Sequence, residues 1–161
     1  MKTELDTPDD LLDDRERAFL DKVRKFGWAA TTVEDDDEGP GFAYSTGFWL
    51  RHGRPEVFTF LPGQAGHQVL WNIERMLAES GWLPVDRLIM DVLEGYPVVL
   101  RPMAKSYYPD FIGWTRWFYG ALDAPCLQLF WPDRQGRFPW ELPPDDSFHL
   151  TQPDLTARSP G

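Results

Sequence analysis

Leu12, Phe19, Leu20, Val23 and Phe26 recur at the spacing of one helical face, and only Glu16 breaks the stripe. Ahead of them stands Thr7-Pro8-Asp9-Asp10. Thr7 suits an N-cap, Pro8 the first turn, and the two carboxylates the exposed N–H groups and dipole of a helix start. Gly27 suits the stop. The pattern predicts an amphipathic helix over residues 7–26, with residues 1–6 as an N-terminal tail.

From Trp28 the period shortens. The β-branched residues up to Val33 predict a strand that ends in the acidic run Glu34-Asp35-Asp36-Asp37-Glu38-Gly39-Pro40, read as a solvated turn. Gly41–Trp49 and Glu56–Leu61 predict two antiparallel strands joined by a loop. Gln64–Ser80 is helical, with Val69, Leu70, Ile73, Met76 and Leu77 on one face and Gly81 as its stop. Asp86–Asp91 and Tyr96–Pro102 are strands about a Glu94-Gly95 turn, and Pro97, which lacks a ladder donor, points to a sheet edge. Pro109–Tyr119 reads as a short helix and Leu127–Trp131 as a buried strand. From Leu142 to Gly161 the chain is rich in Pro, Asp, Ser and Thr without periodicity, which predicts a mobile tail. Together these elements predict one α+β domain over residues 7–141, a mainly antiparallel sheet flanked by two or three helices.

The 161 residues, 42% hydrophobic and 15% aromatic, suffice for one core and leave no room for a second. The net charge of −10 opposes nonspecific binding to nucleic acid or an anionic bilayer. Residues 1–40 hold 13 of the 26 acidic residues against six Lys and Arg, so the acidity is concentrated at one end. An acidic face of that kind suits a basic partner. The single cysteine, Cys126, cannot form an intrachain disulfide, no apolar run is long enough to cross a bilayer, and the first residues lack a basic-then-apolar leader pattern. These features predict a cytoplasmic protein.

Three segments resemble one known family: Ala43-Tyr44-Ser45-Thr46-Gly47-Phe48, Gly53-Arg54-Pro55-Glu56-Val57, and Leu127–Asp133 continued by Gly136-Arg137-Phe138-Pro139-Trp140-Glu141. The last is the most specific, because its aromatics, prolines and glycine fall at fixed offsets. On these residues the chain resembles the bacterial domain-of-unknown-function family 4262 over roughly residues 27–141. The resemblance implies a fold unit and no particular reaction. The family pattern often carries His before Pro55. Here Arg54 stands there, with His52 two residues earlier.

The chain lacks a Gly-rich phosphate loop, a Cys pair, a His-Glu metalloprotease motif and a Gly-x-Ser-x-Gly elbow. The consecutive carboxylates of 34–38 lack the alternating spacing of a calcium loop, and the spacing of His52, His67 and His149 does not suggest zinc. No metal and no cofactor is expected. The candidates for catalysis are His52 and Glu56 as general base, with Ser45 as a conceivable nucleophile beside them. Buried Cys126 reads as a small hydrophobe. The candidates for ligand or partner binding are Tyr44, Arg51, Arg54, Trp114, Trp117, Tyr119, Asp133, Arg134 and Trp140. The aromatic run 107–119 is either a stacking platform or core, and Asp133 suits a tight turn. The function expected is a non-enzymatic protein-interaction or small-ligand-binding domain, of accessory or immunity type. The alternative is a small hydrolase or transferase, and the choice between monomer and homodimer stays open.

Overall fold

Alternation along the strands decides which side of the sheet each residue serves. Val57, Leu127, Leu129, Val98, Leu100 and Ala43 point to one side, while Tyr44, Phe58, Cys126 and Phe130 point to the other, and all are buried. Both faces of the central strands are therefore covered, while β1 and β4 leave residues such as Val33, Leu88 and Met90 exposed. The computed structural model describes residues 1–120 and 123–156.

The strands are β1 (Ala29–Val33), β2 (Phe42–Thr46), β3 (Glu56–Thr59), β4 (Leu88–Leu93), β5 (Tyr96–Pro102) and β6 (Cys126–Phe130). They form one sheet in the order β1-β2-β3-β6-β5-β4, antiparallel at every pairing except β3 with β6. The chain is thus a single α+β domain. The helices are α1 (Asp14–Phe26), α2 (Phe48–His52), α3 (Gly63–Ser80), α4 (Tyr108–Phe111), α5 (Gly113–Tyr119) and α6 (Phe148–Thr151). Val69, Leu70, Ile73 and Leu77 of α3 cover one face of the sheet. Tyr108 and Ile112, with Leu155, cover part of the other. α1 packs Phe19, Leu20 and Val23 against Phe118 and Tyr119 beyond β1.

Several boundaries depart from the sequence reading, each for a local reason. The first helix begins at Asp14 because Asp13 and Glu16 form a reciprocal capping box, each side chain accepting the other's backbone N–H at 2.8 Å. Glu16, the break in the apolar stripe, is thus half of the cap. Thr7 caps nothing there and donates to Glu4 instead. The expected tail at 1–6 holds a one-turn 3₁₀ helix, Glu4–Asp6, capped by Thr3. The expected strand 41–49 stops at Thr46, and the next residues form α2. The helix expected over 109–119 is two helices, broken at Ile112.

Pro97 does not mark an edge strand: β5 lies between β6 and β4. It is tolerated because it falls where the β4–β5 register shifts and beyond the residues paired with β6. Much of the segment from 142 onward is also packed, where a mobile tail was expected. Gln152 is wholly buried, its Oε1 accepting from Trp131 N at 3.0 Å and its Nε2 donating to Trp131 O at 2.9 Å. Gln128 answers from β6, with Nε2 donating to Pro153 O at 2.7 Å and Oε1 accepting from Leu155 N at 2.8 Å. Two side-chain amides thus tie this segment to β6 and Trp131, while its backbone pairs at Thr156 with Met103. Residues 157–161 of that expected tail lie outside the described residues.

Candidate functional site

A helix leaves the N–H groups of its first turn without helical partners. In α2 they are answered by one carboxylate from the neighbouring strand. Glu56 is wholly buried at the start of β3. Its Oε1 accepts from Phe48 N at 3.1 Å and Ser45 Oγ at 2.7 Å, and its Oε2 from Gly47 N at 3.0 Å, Trp49 N at 3.0 Å and the Tyr119 hydroxyl at 2.5 Å. The charge lies where the helix dipole favours it. Glycine is required at the N-cap, Gly47: its φ is +124°, and a Cβ there would lie 2.7 Å from Trp28 Cα.

This geometry bears on both catalytic candidates. Glu56 spends its lone pairs on its own chain and faces no cleft, so it is placed as a structural anion. Ser45 Oγ donates to Glu56 and accepts from Val57 N, while His52 Nε2 lies 2.7 Å from Glu74 Oε2. The structure therefore does not bring Ser45 to His52. Tyr119 is held protonated well above its ordinary range by burial first and then by the negative charge of Glu56. Burial likewise raises the Cys126 thiol, with the Glu56 charge adding to it.

The arginines close helix ends. Arg51 Nη1 donates to Phe26 O at 2.8 Å at the end of α1, with its Nε 3.6 Å from Glu74, and Arg54 Nε donates to Gly81 O at 2.7 Å at the end of α3. Both cations complement the negative pole of a helix. Tyr44 is buried and its hydroxyl accepts from Trp114 N at 3.1 Å; burial raises its pKa. Trp114 is stacked on Phe19 at 4.7 Å and shares with Trp117, Asp13, Arg15 and Glu16 a shallow groove of about 330 Å³.

Asp133 holds its own turn, accepting from Gln135 N and Arg137 N at 2.9 Å and from Arg137 Nε at 3.1 Å. The backbone N–H of Arg137 leads in holding its carboxyl below the usual value. Arg134 is exposed on the same turn. Trp140 lies between partners, stacked on Phe138 at 5.0 Å and with the Arg101 guanidinium 3.5 Å from its ring centre. The residues singled out from sequence thus form separate groups: Ser45, Glu56 and Tyr119 meet in the buried cap, Arg51 and His52 meet at Glu74, and Tyr44, Trp114 and Trp117 line one groove.

A larger cleft lies elsewhere, beneath the acidic loop. One chamber of about 350 Å³ and another of about 540 Å³ share Val33, Glu34, Pro40, Phe42 and Phe60. Phe42 packs against Phe111 with ring centres 5.2 Å apart, and Phe60 against Phe111 at 5.9 Å, giving an aromatic floor. Glu34, Asp35, Asp36, Glu38 and Asp110 rim it, Tyr107 stands at one end, and Thr151 and Pro153 form a wall. Among the described residues no Lys, Arg or His lines either chamber. The loop closes on itself through paired Asp36 and Gly39 backbones, and Gly41 passes so close to its base that a Cβ would lie 2.7 Å from Val33 O. The acidic loop is exposed and reads from sequence as a solvated turn, which hides the cleft beneath it. Phe42 and Tyr44, and Phe58 and Phe60, alternate onto a common face, and that signal was present.

The family model for a domain of unknown function, DUF4262, matches residues 22–143. The chain belongs to this family. No curated protein and no solved structure matches it. The DUF4262 match takes in all six strands, the Glu56 cap, the acidic loop and the aromatic floor. It stops short of Thr151, Gln152 and Pro153, so one wall of the cleft comes from outside the matched region. No helix among the described residues is long and apolar enough to cross a membrane.

Proposed function

We propose that this DUF4262 domain is a non-enzymatic binding module of the bacterial cytoplasm, an accessory or immunity-type protein whose partner or ligand enters the cleft beneath the acidic loop. One observation carries the reading: two adjoining chambers of about 350 Å³ and 540 Å³ share an aromatic floor and a convergent polar rim, which is the usual make-up of a binding site. The saturation of Glu56 by its own chain supports the same reading, since a general base needs a lone pair within reach of a substrate. The lone, buried Cys126 is compatible with a reducing compartment.

A second reading keeps His52 as the base of a small hydrolase or transferase, and the His52–Glu74 pair at 2.7 Å is its support, since a carboxylate can orient an imidazole. The two separate in a titration of isotope-labelled protein with a small-molecule fragment library, followed by NMR. The binding-module reading expects shifts concentrated on Phe42, Phe60 and Phe111. Shifts centred on His52 and Glu74, with the cleft silent, would replace it by the enzymatic one.

A further inference from the structure

The two chambers form one elongated trough. They share a floor, and each extends past it, one toward Leu61, Pro62 and Gly63 and the other toward Tyr107, Asp110 and Phe111. A compact ligand fills one chamber, whereas an extended chain reaches both. The floor is apolar, and every charged residue of the rim is anionic. Among the described residues none of the five rim carboxylates is paired with a Lys or Arg, and the side chain of Asp36 accepts only the Glu38 N–H.

Building on the cleft reading above, we infer that the occupant is an extended segment of a partner protein in which Lys or Arg alternates with apolar side chains. Basic side chains lay their alkyl stems on apolar surface while the charged head reaches outward, which matches Val33, Phe42 and Phe60 below and carboxylates above. An Arg head over Phe111 or Tyr107 adds attraction to the ring face. The net charge of −10 steers a basic segment toward the domain, and the rim sets its register. The Asp36–Gly39 pairing pre-shapes the loop, which lowers the ordering cost of binding. A polyamine satisfies the rim and leaves the floor uncovered, so the aromatic floor selects the peptide.

The test is fluorescence anisotropy on the full chain with a short labelled peptide alternating Arg and Leu, its Glu-for-Arg counterpart, and spermidine as competitor. The Arg peptide is expected to bind, the Glu peptide not to bind, and spermidine to compete poorly. Pairing Asp36→Asn with Glu38→Gln is expected to weaken binding about fivefold, in keeping with two rim-exposed charges, and rising salt is expected to weaken it further. Phe111→Ala should weaken it as well, and Tyr107→Ala repeats that test at an exposed position with little effect on folding. If the charge variant binds as well as the parent, or spermidine displaces the peptide fully, the basic-peptide occupant is wrong, and the cleft survives if Phe111→Ala and Tyr107→Ala still weaken binding. If neither aromatic variant changes binding and the fragments leave the floor unshifted, the cleft reading itself fails.

Discussion

The Tyr119 hydroxyl donates to Glu56 Oε2 at 2.5 Å while accepting from Leu50 N at 3.2 Å, so one phenol from α5 completes the cap of α2 that the carboxylate begins. Glu56→Gln places an amide N–H₂ against N–H donors, and each buried donor left unpaired costs roughly 1–3 kcal/mol. Urea unfolding is expected to register a loss of at least about 2 kcal/mol for Glu56→Gln. Tyr119→Phe should lose about 1.5–3 kcal/mol, the range for a hydrogen bond to a charged group. An unchanged midpoint in Glu56→Gln would remove the capping role.

Three of the five tyrosines should resist ionisation. Burial raises Tyr44 and Tyr119, and it pushes Tyr108 up to about 12. A pKa raised by folding gives stability that is complete below the ordinary value of 10 and is lost as pH rises through the folded one. Ultraviolet titration is therefore expected to find these three phenols ionising only together with alkaline unfolding. A smooth early titration of all five would contradict their burial.

Gln152 is a prediction about the packed C-terminal segment. Gln152→Ala removes both bonds to Trp131 and leaves that backbone N–H and C=O without their partner, at roughly 1–3 kcal/mol. Hydrogen exchange at the Trp131 amide should accelerate. Because Thr151 and Pro153 wall the cleft, binding of a cleft ligand should weaken in parallel.

Asp133 should contribute to acid sensitivity. Its carboxyl lies below the ordinary 3.8 because it accepts the Arg137 backbone N–H, with Gln135 and the Arg137 charge also contributing. A depressed folded pKa gives stability that is present above 3.8 and is lost as pH falls through the folded value. Asp133→Asn is expected to melt below the parent near neutral pH and to converge with it in strong acid. A constant gap across that range would assign the effect to packing.

Elements whose cause is local were legible along the chain. The α3 stripe, the β2–β3 pair, the six strands and the turn at Asp133 follow from apolar period and turn chemistry carried within each segment, and the family was legible in the fixed offsets of 127–141. Boundaries were less legible. The capping box at Asp13 and Glu16 competes with Thr7 for the helix start, and β2 stops where Gly47, at a φ of +124°, turns the chain into α2 with Trp28 leaving no room for a Cβ.

Only the tertiary structure decided what the polar residues do. Glu56 looks like a base until β3 sets it under the N-terminus of α2, and Arg51 and Arg54 look like ligand-binding groups until they meet the ends of α1 and α3. The cleft needs β1, β2, β3, α4 and the C-terminal segment at one end of the sheet. Hydrogen bonds and clefts join residues far apart along the chain, and periodicity records only which face a side chain takes, not what the opposite strand or helix brings to meet it.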